Sequence, residues 1–273
     1  MKGNKKTISS FQKTIWDFFE KEGRQTLTWR KTKNPYRIWV SEIMLQQTQV
    51  SRVVEKYKSF LKKFPTIQSL AESSQANVLK EWVGLGYNRR ALFLKKGAEF
   101  VVKEFQGKIP KDVSLLEKIP GIGHYTARAI ATFAYNQKHV FVETNIRTVY
   151  FNHFFKNTEI VSDREILDMV EQTLPEENFR EWYWALMDYG SYLKKQGKGM
   201  NTRSRHYVKQ SRFEGSDRQI RSAVVRYLTQ KGEADVDDVV RGLGFDIDRT
   251  EEQIQKLLDE EMVFLEDGVL SLG

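Results

Sequence analysis

The chain has 273 residues, a net charge of +8 and no cysteine, so it can form neither a disulfide nor a cysteine-ligated zinc or iron–sulfur site. Its four histidines are scattered without metal-ligand spacing, and we therefore predict no metal site and no cofactor. No apolar run approaches the length of a membrane span and the N-terminal segment lacks the apolar core of a signal peptide, which indicates a cytoplasmic protein without a membrane partner.

Charge is divided unevenly along the chain. Residues 1–215 carry 37 Lys and Arg against 22 Asp and Glu, a net charge of +15, whereas residues 216–273 carry 7 against 14, a net charge of −7. A strongly basic body suits a polyanionic partner, of which nucleic acid is the commonest. The acidic C-terminal segment does not share this preference.

In chain order, the first informative element is the apolar run at residues 38–45, which contains a single carboxylate, Glu42. Ionised carboxylates are costly in apolar surroundings unless they have a partner or a function. Such surroundings also raise a carboxyl pKa, which keeps a general acid protonated near neutral pH. The run is equally compatible with an exposed glutamate on the polar face of an amphipathic helix.

Helical periodicity dominates the chain from residue 50 to residue 195. The apolar side chains at 50–64 recur every three to four residues until Pro65 ends the pattern. Further helices are predicted at residues 67–70, 76–83, 90–105, 114–118, 125–135, 146–155, 163–173 and 179–195. Because alternation with a period of two is nearly absent before residue 260, we expect an all-α main body.

Residues 116–127 contain the sequence Pro120-Gly121-Ile122-Gly123 between a short predicted helix and a longer one. Two glycines two residues apart let a tight hairpin approach a ligand closely. The unpaired N–H groups at the start of the next helix suit a phosphate oxygen, and such a contact positions a protein on DNA without reading its sequence. An ordinary helix–helix turn is the alternative.

Segment 196–215 is rich in glycine, serine and basic residues and is predicted to be a linker or surface loop. After it, helices are predicted at 217–229, 234–243 and 250–261. Two short strands then flank a Glu-Asp-Gly turn signal at 266–268. Three helices and a terminal hairpin resemble a winged helix. Because this unit is acidic, we expect it to serve packing or to bind a protein partner.

Four segments occur in the order SEIMLQQTQV, WVGLGYNRRA, IPGIGHYTA and VETNIRTV. In sequence and spacing they resemble the helix-hairpin-helix DNA glycosylases of the endonuclease III superfamily, and most of all the MutY-like adenine DNA glycosylases. The resemblance extends over about residues 25–195. It implies an all-α fold with a six-helix barrel at 24–133 and a second helical domain formed by 1–23 and 134–210. The residue pattern adds the small winged-helix-like (α+β) domain, which we place at 216–273.

The resemblance implies a base excision repair enzyme that hydrolyses the N-glycosidic bond of a flipped adenine mispaired with G or 8-oxoguanine in double-stranded DNA. Such an enzyme would be nucleoid-associated and monomeric. Glycoside hydrolysis needs an acid for the leaving group and negative charge near the developing cation. By resemblance, Glu42 is the catalytic acid, Glu143 replaces the aspartate that stabilises the sugar cation, and Asn145 acts with it.

Two further positions concern the reacting base. Tyr125 matches a residue that helps to order the site, and bifunctional relatives have a Schiff-base lysine there, so the tyrosine implies a monofunctional glycosylase. From the residues alone, Tyr125 is also compatible with a buried aromatic at a helix start. Trp29 and Arg30 match residues that line the adenine pocket, although Trp29 also suits an ordinary core position.

Flipping a base leaves a gap in the duplex, and by resemblance Gln47 and Tyr87 fill it. Arg89 and Arg90 follow Tyr87 and are either phosphate contacts or part of a solvated face. The remaining predicted DNA contacts belong to the hairpin and are Gly121, Gly123 and His124.

The sequence departs from the family pattern in four respects. The cysteines that bind a [4Fe–4S] cluster are absent, and we expect the basic loop containing Arg203 and Arg205 to make DNA contacts instead. Residue 143 is Glu rather than Asp. Trp184 stands where Gln or Glu normally reads the adenine, and the acidic unit replaces the domain that reads 8-oxoguanine.

These departures leave the excised base open, and the alternative is the same chemistry on mismatched thymine or uracil, hypoxanthine or a damaged purine. A non-catalytic lesion-binding module is disfavoured by the joint presence of Glu42, Tyr125 and Asn145, since binding alone needs none of them. A winged-helix transcription regulator would need a basic recognition helix, whereas the predicted helix at 250–261 has five carboxylates and one lysine.

Overall fold

The computed structural model describes residues 4–273 except Glu159, Met200, Asn201, Arg203 and residues 206–211. The described residues form fourteen α-helices, a 3-10 helix at Thr28–Lys31 and three short strands. The first eleven helices are α1 (Lys5–Glu22), α2 (Pro35–Leu45), α3 (Val50–Lys63), α4 (Ile67–Ala71), α5 (Gln75–Trp82), α6 (Arg89–Phe105), α7 (Val113–Leu116), α8 (His124–Tyr135), α9 (Thr144–His153), α10 (Asp163–Thr173) and α11 (Phe179–Lys195). The C-terminal elements are α12 (Asp217–Lys231), β1 (Glu233–Asp235), α13 (Val236–Gly242), α14 (Ile247–Asp259), β2 (Phe264–Glu266) and β3 (Val269–Ser271).

The predicted helices are confirmed, with ends that differ from prediction by up to three residues. Side-chain caps explain where several helices begin. At α10, the Ser162 side chain accepts the N–H of Glu165 and the Glu165 carboxylate accepts the N–H of Ser162, which forms a capping box. At α14, the Asp246 carboxylate accepts the N–H of Arg249 at 3.0 Å, so this helix begins earlier than the apolar pattern indicated.

The helix predicted at residues 234–243 needs a correction at its start. Glu233–Asp235 form β1, which pairs antiparallel with β3 so that Asp235 lies opposite Val269. The Asp235 side chain then caps α13 by accepting the N–H of Asp237 at 2.8 Å. A strand partner more than thirty residues away therefore overrides the local helical pattern.

The terminal hairpin is confirmed. Strand β3 lies between β1 and β2 in one antiparallel sheet. Asp267 and Gly268 join β2 to β3 with φ values of +48° and +82°. Two successive positive φ values characterise the tight hairpin turn that Asp-Gly favours, which is why this turn was recognisable from sequence.

The chain folds into two compact units. Unit 1 comprises Met1–Trp39, Lys111–Glu117 and Ile122–Lys209, and unit 2 comprises Val40–Pro110, Lys118–Gly121 and Gln210–Gly273. The domain limits given above from the resemblance stay a prediction. In the part of the chain that the structure describes, no helix combines the length and the apolar character needed to cross a membrane.

Aromatic side chains form much of the core of unit 1. Phe141 stacks on Tyr183 with ring centroids 3.8 Å apart, and Phe11 of α1 meets Trp182 of α11 edge to face at 6.0 Å. Such rings bury large apolar areas in specific mutual orientations. They hold α11 against α1 and α9.

Helices α9 and α11 make a close approach at Gly190. A Cβ atom on Gly190 would lie 2.1 Å from the main-chain oxygen of Asn145, well inside van der Waals contact. Only glycine allows this packing. The approach places the first turn of α9 beside the middle of α11.

The acidic C-terminal segment packs on other parts of unit 2. The Gln75 side chain donates to the carbonyl oxygen of Glu261 at 3.0 Å, and the N–H of Ala76 donates to that of Gly273 at 3.0 Å. Lys96 of α6 also forms an ion pair with the Glu261 carboxylate at 2.5 Å. Packing, one of the two roles expected for this segment, is therefore observed.

We expect Gly190→Ala to lower the free energy of unfolding by about 3 kcal/mol, because the new methyl group must push α9 and α11 apart. Urea denaturation measures the loss. Gly242→Ala is the matched control: its Cβ would meet only Tyr227 at 3.5 Å, so it should be neutral or slightly stabilising. Equal stability of the two variants would contradict the predicted packing.

Candidate active site

Glu42 is buried in unit 2. It lies on α2 with only 8% of its surface exposed, between Ser41 and Ile43, which are also buried. The alternative of an exposed glutamate on a polar helix face is therefore wrong. A buried carboxylate loses hydration, and its partners in the protein must offset that cost.

Glu143 is the N-cap of α9 in unit 1. One carboxylate oxygen, Oε1, accepts the N–H groups of Asn145 and Ile146, both at 2.8 Å, and Oε2 accepts from the Asn145 side chain at 3.1 Å. Burial raises the pKa of Glu143 above its usual range, and these main-chain N–H groups and the positive charges of Lys194 and Arg147 offset the rise only in part. The longer side chain that distinguishes Glu from Asp is thus accommodated by helix capping.

Lys194 joins this cluster from α11. Its Nζ donates to Oδ1 of Asn145 at 2.8 Å. Burial lowers the pKa of Lys194. The Glu143 carboxylate raises this pKa, and the positive charge of Arg147 lowers it further. Lys194 was not among the predicted site residues, because the approach of α9 to α11 that brings it to Asn145 is not visible along the chain.

Trp184 and Arg30, two predicted pocket residues, lie together in unit 1. The Arg30 guanidinium carbon is 5.3 Å from the Trp184 ring centroid, and the Trp184 ring stacks on Phe133 at 6.0 Å. Trp29, also assigned to the pocket, is buried. The Trp184 ring is therefore held in place by a cation and a second aromatic ring.

Asp188 fixes the position of Arg30. Its two carboxylate oxygens accept from Nη1 and Nη2 of Arg30 at 2.7 and 2.9 Å, and Arg24 adds a side-chain and a main-chain hydrogen bond. The side chains of Asp188 and Arg30 are 2% and 4% exposed. Burial opposes ionisation, but the two arginines hold the pKa of Asp188 below its usual range. Sequence reasoning missed Asp188, although a lone carboxylate after Ala-Leu-Met gives the same signal as Glu42.

Tyr125 lies in the first turn of α8 and is half-buried. Its ring meets the edge of Phe141 at 5.6 Å. It therefore forms part of the margin of the aromatic core of unit 1, in line with the alternative that the sequence left open.

The predicted hairpin leads into α8. Gly121 has φ of +81°, and a Cβ there would lie 2.7 Å from that of Phe93, so two constraints require glycine. Gly123 is the N-cap of α8, where no side chain makes a capping bond and a Cβ would meet open space. The neighbouring His124 is exposed. One turn further along α8, the Arg128 guanidinium forms an ion pair with the Glu117 carboxylate at 2.6 Å.

Gln47 and Tyr87 both adopt left-handed backbone conformations, with φ of +53° and +50°. Non-glycine residues rarely do so, and such strain persists only where surrounding contacts impose it. Both side chains are exposed, Tyr87 to 36%. The two residues share one cleft in unit 2.

Arg90 imposes these conformations. Its guanidinium donates to oxygens of the two chain segments that carry Gln47 and Tyr87, namely the carbonyls of Ile43, Met44, Gln46, Leu85 and Gly86 and the hydroxyl of Thr48. Burial lowers the pKa of Arg90 to about 10, and Tyr87 acts in the opposite direction. Because Nη1 and Nη2 are taken up by protein oxygens, Arg90 acts as an internal brace. Arg89 is exposed and lies 3.6 Å from Glu260.

The basic loop is described only in part. Arg203 lies outside the described residues, and Arg205 is exposed, with its N–H 3.4 Å from the carbonyl oxygen of Val161. The iron–sulfur cluster of the family does not fit this chain, which has no thiolate to bind it. Within the described residues, no group of three or more His, Asp or Glu side chains is arranged to bind a metal ion.

Comparison with known proteins agrees with this architecture. Residues 40–175 match the model of the HhH-GPD superfamily of base excision DNA repair proteins. An adenine DNA glycosylase of Buchnera aphidicola (subsp. Baizongia pistaciae) is 36% identical over 188 residues, which are 68% of this chain and 54% of that protein. The chain thus spans about half the length of the curated relatives it matches.

Two solved structures share the fold. A thermostable thymine-DNA glycosylase has 26% identity and a TM-score of 0.62, with 68% of this chain and 87% of that chain covered. An endonuclease III trapped in a covalent DNA intermediate has 19% identity and a TM-score of 0.61, with 70% and 88% covered. The latter likeness concerns the fold alone.

We expect Asp188→Asn to reduce the free energy of unfolding by about 3 kcal/mol or more, because it leaves the buried Arg30 without its counter-charge. Denaturant unfolding at pH 7 provides the measurement. Asp17→Asn, which breaks an exposed pair with Lys13, is the control and should change stability by less than about 0.5 kcal/mol. An Asp188 variant as stable as this control would show that the ion pair is dispensable.

Proposed function

Because residues 40–175 belong to the HhH-GPD superfamily of base excision DNA repair proteins, we propose that the chain is a monofunctional DNA glycosylase. Its substrate would be double-stranded DNA with adenine mispaired with G or 8-oxoguanine, acted on by a monomer at the nucleoid. The observation that carries the proposal is the buried Glu42 within the matched segment.

Glu42 is assigned the role of general acid. Departure of a base from deoxyribose is assisted by a proton on the base, which a positioned carboxylic acid can deliver. Glu42 is the buried carboxyl group of α2. The same carboxylate, once ionised, would accept a proton from the attacking water.

Glu143 is assigned the stabilisation of the sugar cation. The oxocarbenium-like transition state carries positive charge, which a fixed carboxylate stabilises without reorganisation. The three hydrogen bonds to Glu143 fix its position, and Asn145 links it to Lys194. The positive charge of Lys194 would favour the ionised carboxylate, which burial opposes.

Tyr125 supports the absence of strand cleavage. A lyase step needs an amine that forms a Schiff base with the opened sugar, and a phenol cannot do so. The product would therefore be an intact strand with an abasic site.

DNA binding is assigned to the hairpin and to the cleft residues. The uncapped first turn of α8 after Gly123 offers main-chain N–H groups to a phosphate, with the exposed His124 beside it. Arg90 binds the carbonyl oxygens of the residues that precede Gln47 and Tyr87, and these two exposed side chains are assigned to the gap that a flipped base leaves. The glutamine amide can offer both a donor and an acceptor to the orphaned base.

Adenine is the first choice of base because several adenine DNA glycosylases are 32–42% identical to the parts of this chain that they match. A second candidate, mismatched thymine, is favoured by two observations. Trp184, braced by Arg30 and Phe133, offers a ring for stacking but only one hydrogen-bond donor. The solved structure with 26% identity is a thymine-DNA glycosylase.

A panel of duplexes tests the proposal. Each duplex carries one A·8-oxoguanine, A·G, T·G, U·G or hypoxanthine pair, and hot alkali reveals abasic sites. We expect alkali-dependent cleavage at adenine, and loss of product by at least about 100-fold in Glu42→Gln, since general acid catalysis contributes about 10²–10⁴-fold.

Glu55→Gln is the control for this variant, because Glu55 is exposed on α3. Preferred cleavage at thymine would select the second candidate. Cleavage without alkali would contradict the monofunctional assignment. No product from any pair, or full activity of Glu42→Gln, would refute the proposed reaction.

Glu143→Gln should lower the single-turnover rate about 100-fold or more while DNA affinity stays unchanged, because the amide can still cap α9 but carries no charge. Glu165→Gln is the control, since it removes a carboxylate from the start of α10. Equal rates in the two variants would rule out an electrostatic role for Glu143.

A further inference from the structure

A cleft of about 900 Å³ in unit 2 has a strongly basic lining. It contains Gln47 and Tyr87 on one side and residues of α12 on the other. The charged residues that line it are Arg52, Arg89, Arg90, Arg218, Arg221 and Arg226. No Asp or Glu lines it within the described part of the chain.

Some of these arginines have partners in the protein. Arg221 forms an ion pair with Glu260 at 2.5 Å, and Arg90 is engaged by carbonyl oxygens. Arg52 and Arg226 are exposed, and neither side chain has a hydrogen-bond or ion-pair partner among the described residues. These two cations are therefore available to an anionic ligand.

The contribution of α12 revises the expectation that an acidic C-terminal unit would not suit DNA. Within residues 216–273, α12 carries four of the seven basic residues and only one carboxylate, Asp217. The negative charge lies in later elements. The net charge of the unit concealed a basic helix because opposite charges are segregated within it.

Aromatic rings accompany the arginines. Phe213 lines the cleft and is 50% exposed, and Tyr87 is 36% exposed. Arg218 of α12 donates to the Tyr87 hydroxyl at 2.8 Å and lies 5.7 Å from the ring centroid. Exposed rings in a basic groove are the combination by which proteins bind unpaired nucleotides, through stacking on bases and charge on phosphates.

We propose that this cleft binds one strand of DNA, with an unpaired base against Phe213 and Tyr87 and the flanking phosphates at Arg52 and Arg226. The volume lies within the range that holds one or two nucleotide-sized ligands. The inference rests on the proposed function in that the ligand is DNA. It assigns the C-terminal segment a direct part in substrate binding.

The salt dependence of DNA binding tests whether Arg52 and Arg226 contact phosphates. The probes are a 12-residue oligothymidine and a 25-base-pair duplex with one A·G pair, measured by fluorescence anisotropy between 50 and 200 mM salt. Removing two phosphate contacts with Arg52→Ala and Arg226→Ala should reduce the slope of log K against log salt by about 1.4 for the single strand. Arg241→Ala with Lys256→Ala removes the same charge away from the cleft and should leave the slope unchanged.

Stacking is tested by Phe213→Ala and Phe213→Trp. The alanine variant should bind the oligothymidine about 5-fold or more weakly, whereas tryptophan should preserve binding, because each stacked base contributes a factor of about 5 to 150. Equal weakening by both substitutions would overturn the stacking assignment.

The outcome separates this inference from the proposed function. If the wild-type protein excises no base but the cleft variants lose affinity as stated, the cleft inference stands and the glycosylase proposal fails. If excision occurs normally and the cleft double variant binds like its control, the cleft inference is overturned.

Discussion

The contact between α9 and α11 at Gly190 determines where the charged groups of unit 1 lie. Because no side chain separates the helices there, the start of α9, with Glu143 and Asn145, reaches the level of Lys194. Closer to the start of α11, Trp184 and Asp188 meet Arg30. The backbone approach at Gly190 therefore assembles the carboxylate cluster, and the ion pair of Asp188 with Arg30 holds the tryptophan.

Buried charge is the second constraint, and the structure meets it by giving each charge several partners. Asp188 is shared by two arginines, and Glu143 accepts from two main-chain N–H groups and an amide. Arg90 donates to main-chain oxygens from two separate loops. Low local dielectric makes each of these sets strong when complete and costly when broken. The same bonds keep Gln47 and Tyr87 in conformations that an isolated chain would avoid.

The C-terminal segment shows how composition can mislead when charge is averaged. Its net charge of −7 indicated a unit unsuited to DNA. In the structure, the arginines of α12 line the cleft beside Tyr87. The carboxylates belong mainly to the elements that follow α12. A polyanionic ligand responds to the electrostatic potential of the face that it contacts. The net charge of the whole segment does not give that potential.

The helices and the Asp-Gly hairpin could be predicted from the sequence, whereas the burial of Glu42 was one of two alternatives until the structure showed it. The helices and the hairpin depend on apolar periodicity, capping residues and turn conformations that act within a few residues, so they are readable along the chain. Tertiary structure alone decided that Asp188 pairs with Arg30, that Lys194 reaches Asn145, that Arg90 turns inward and that Glu233–Asp235 become a strand. Each of these joins residues tens of positions apart. Their partners are selected by how helices and strands pack, which no local pattern encodes.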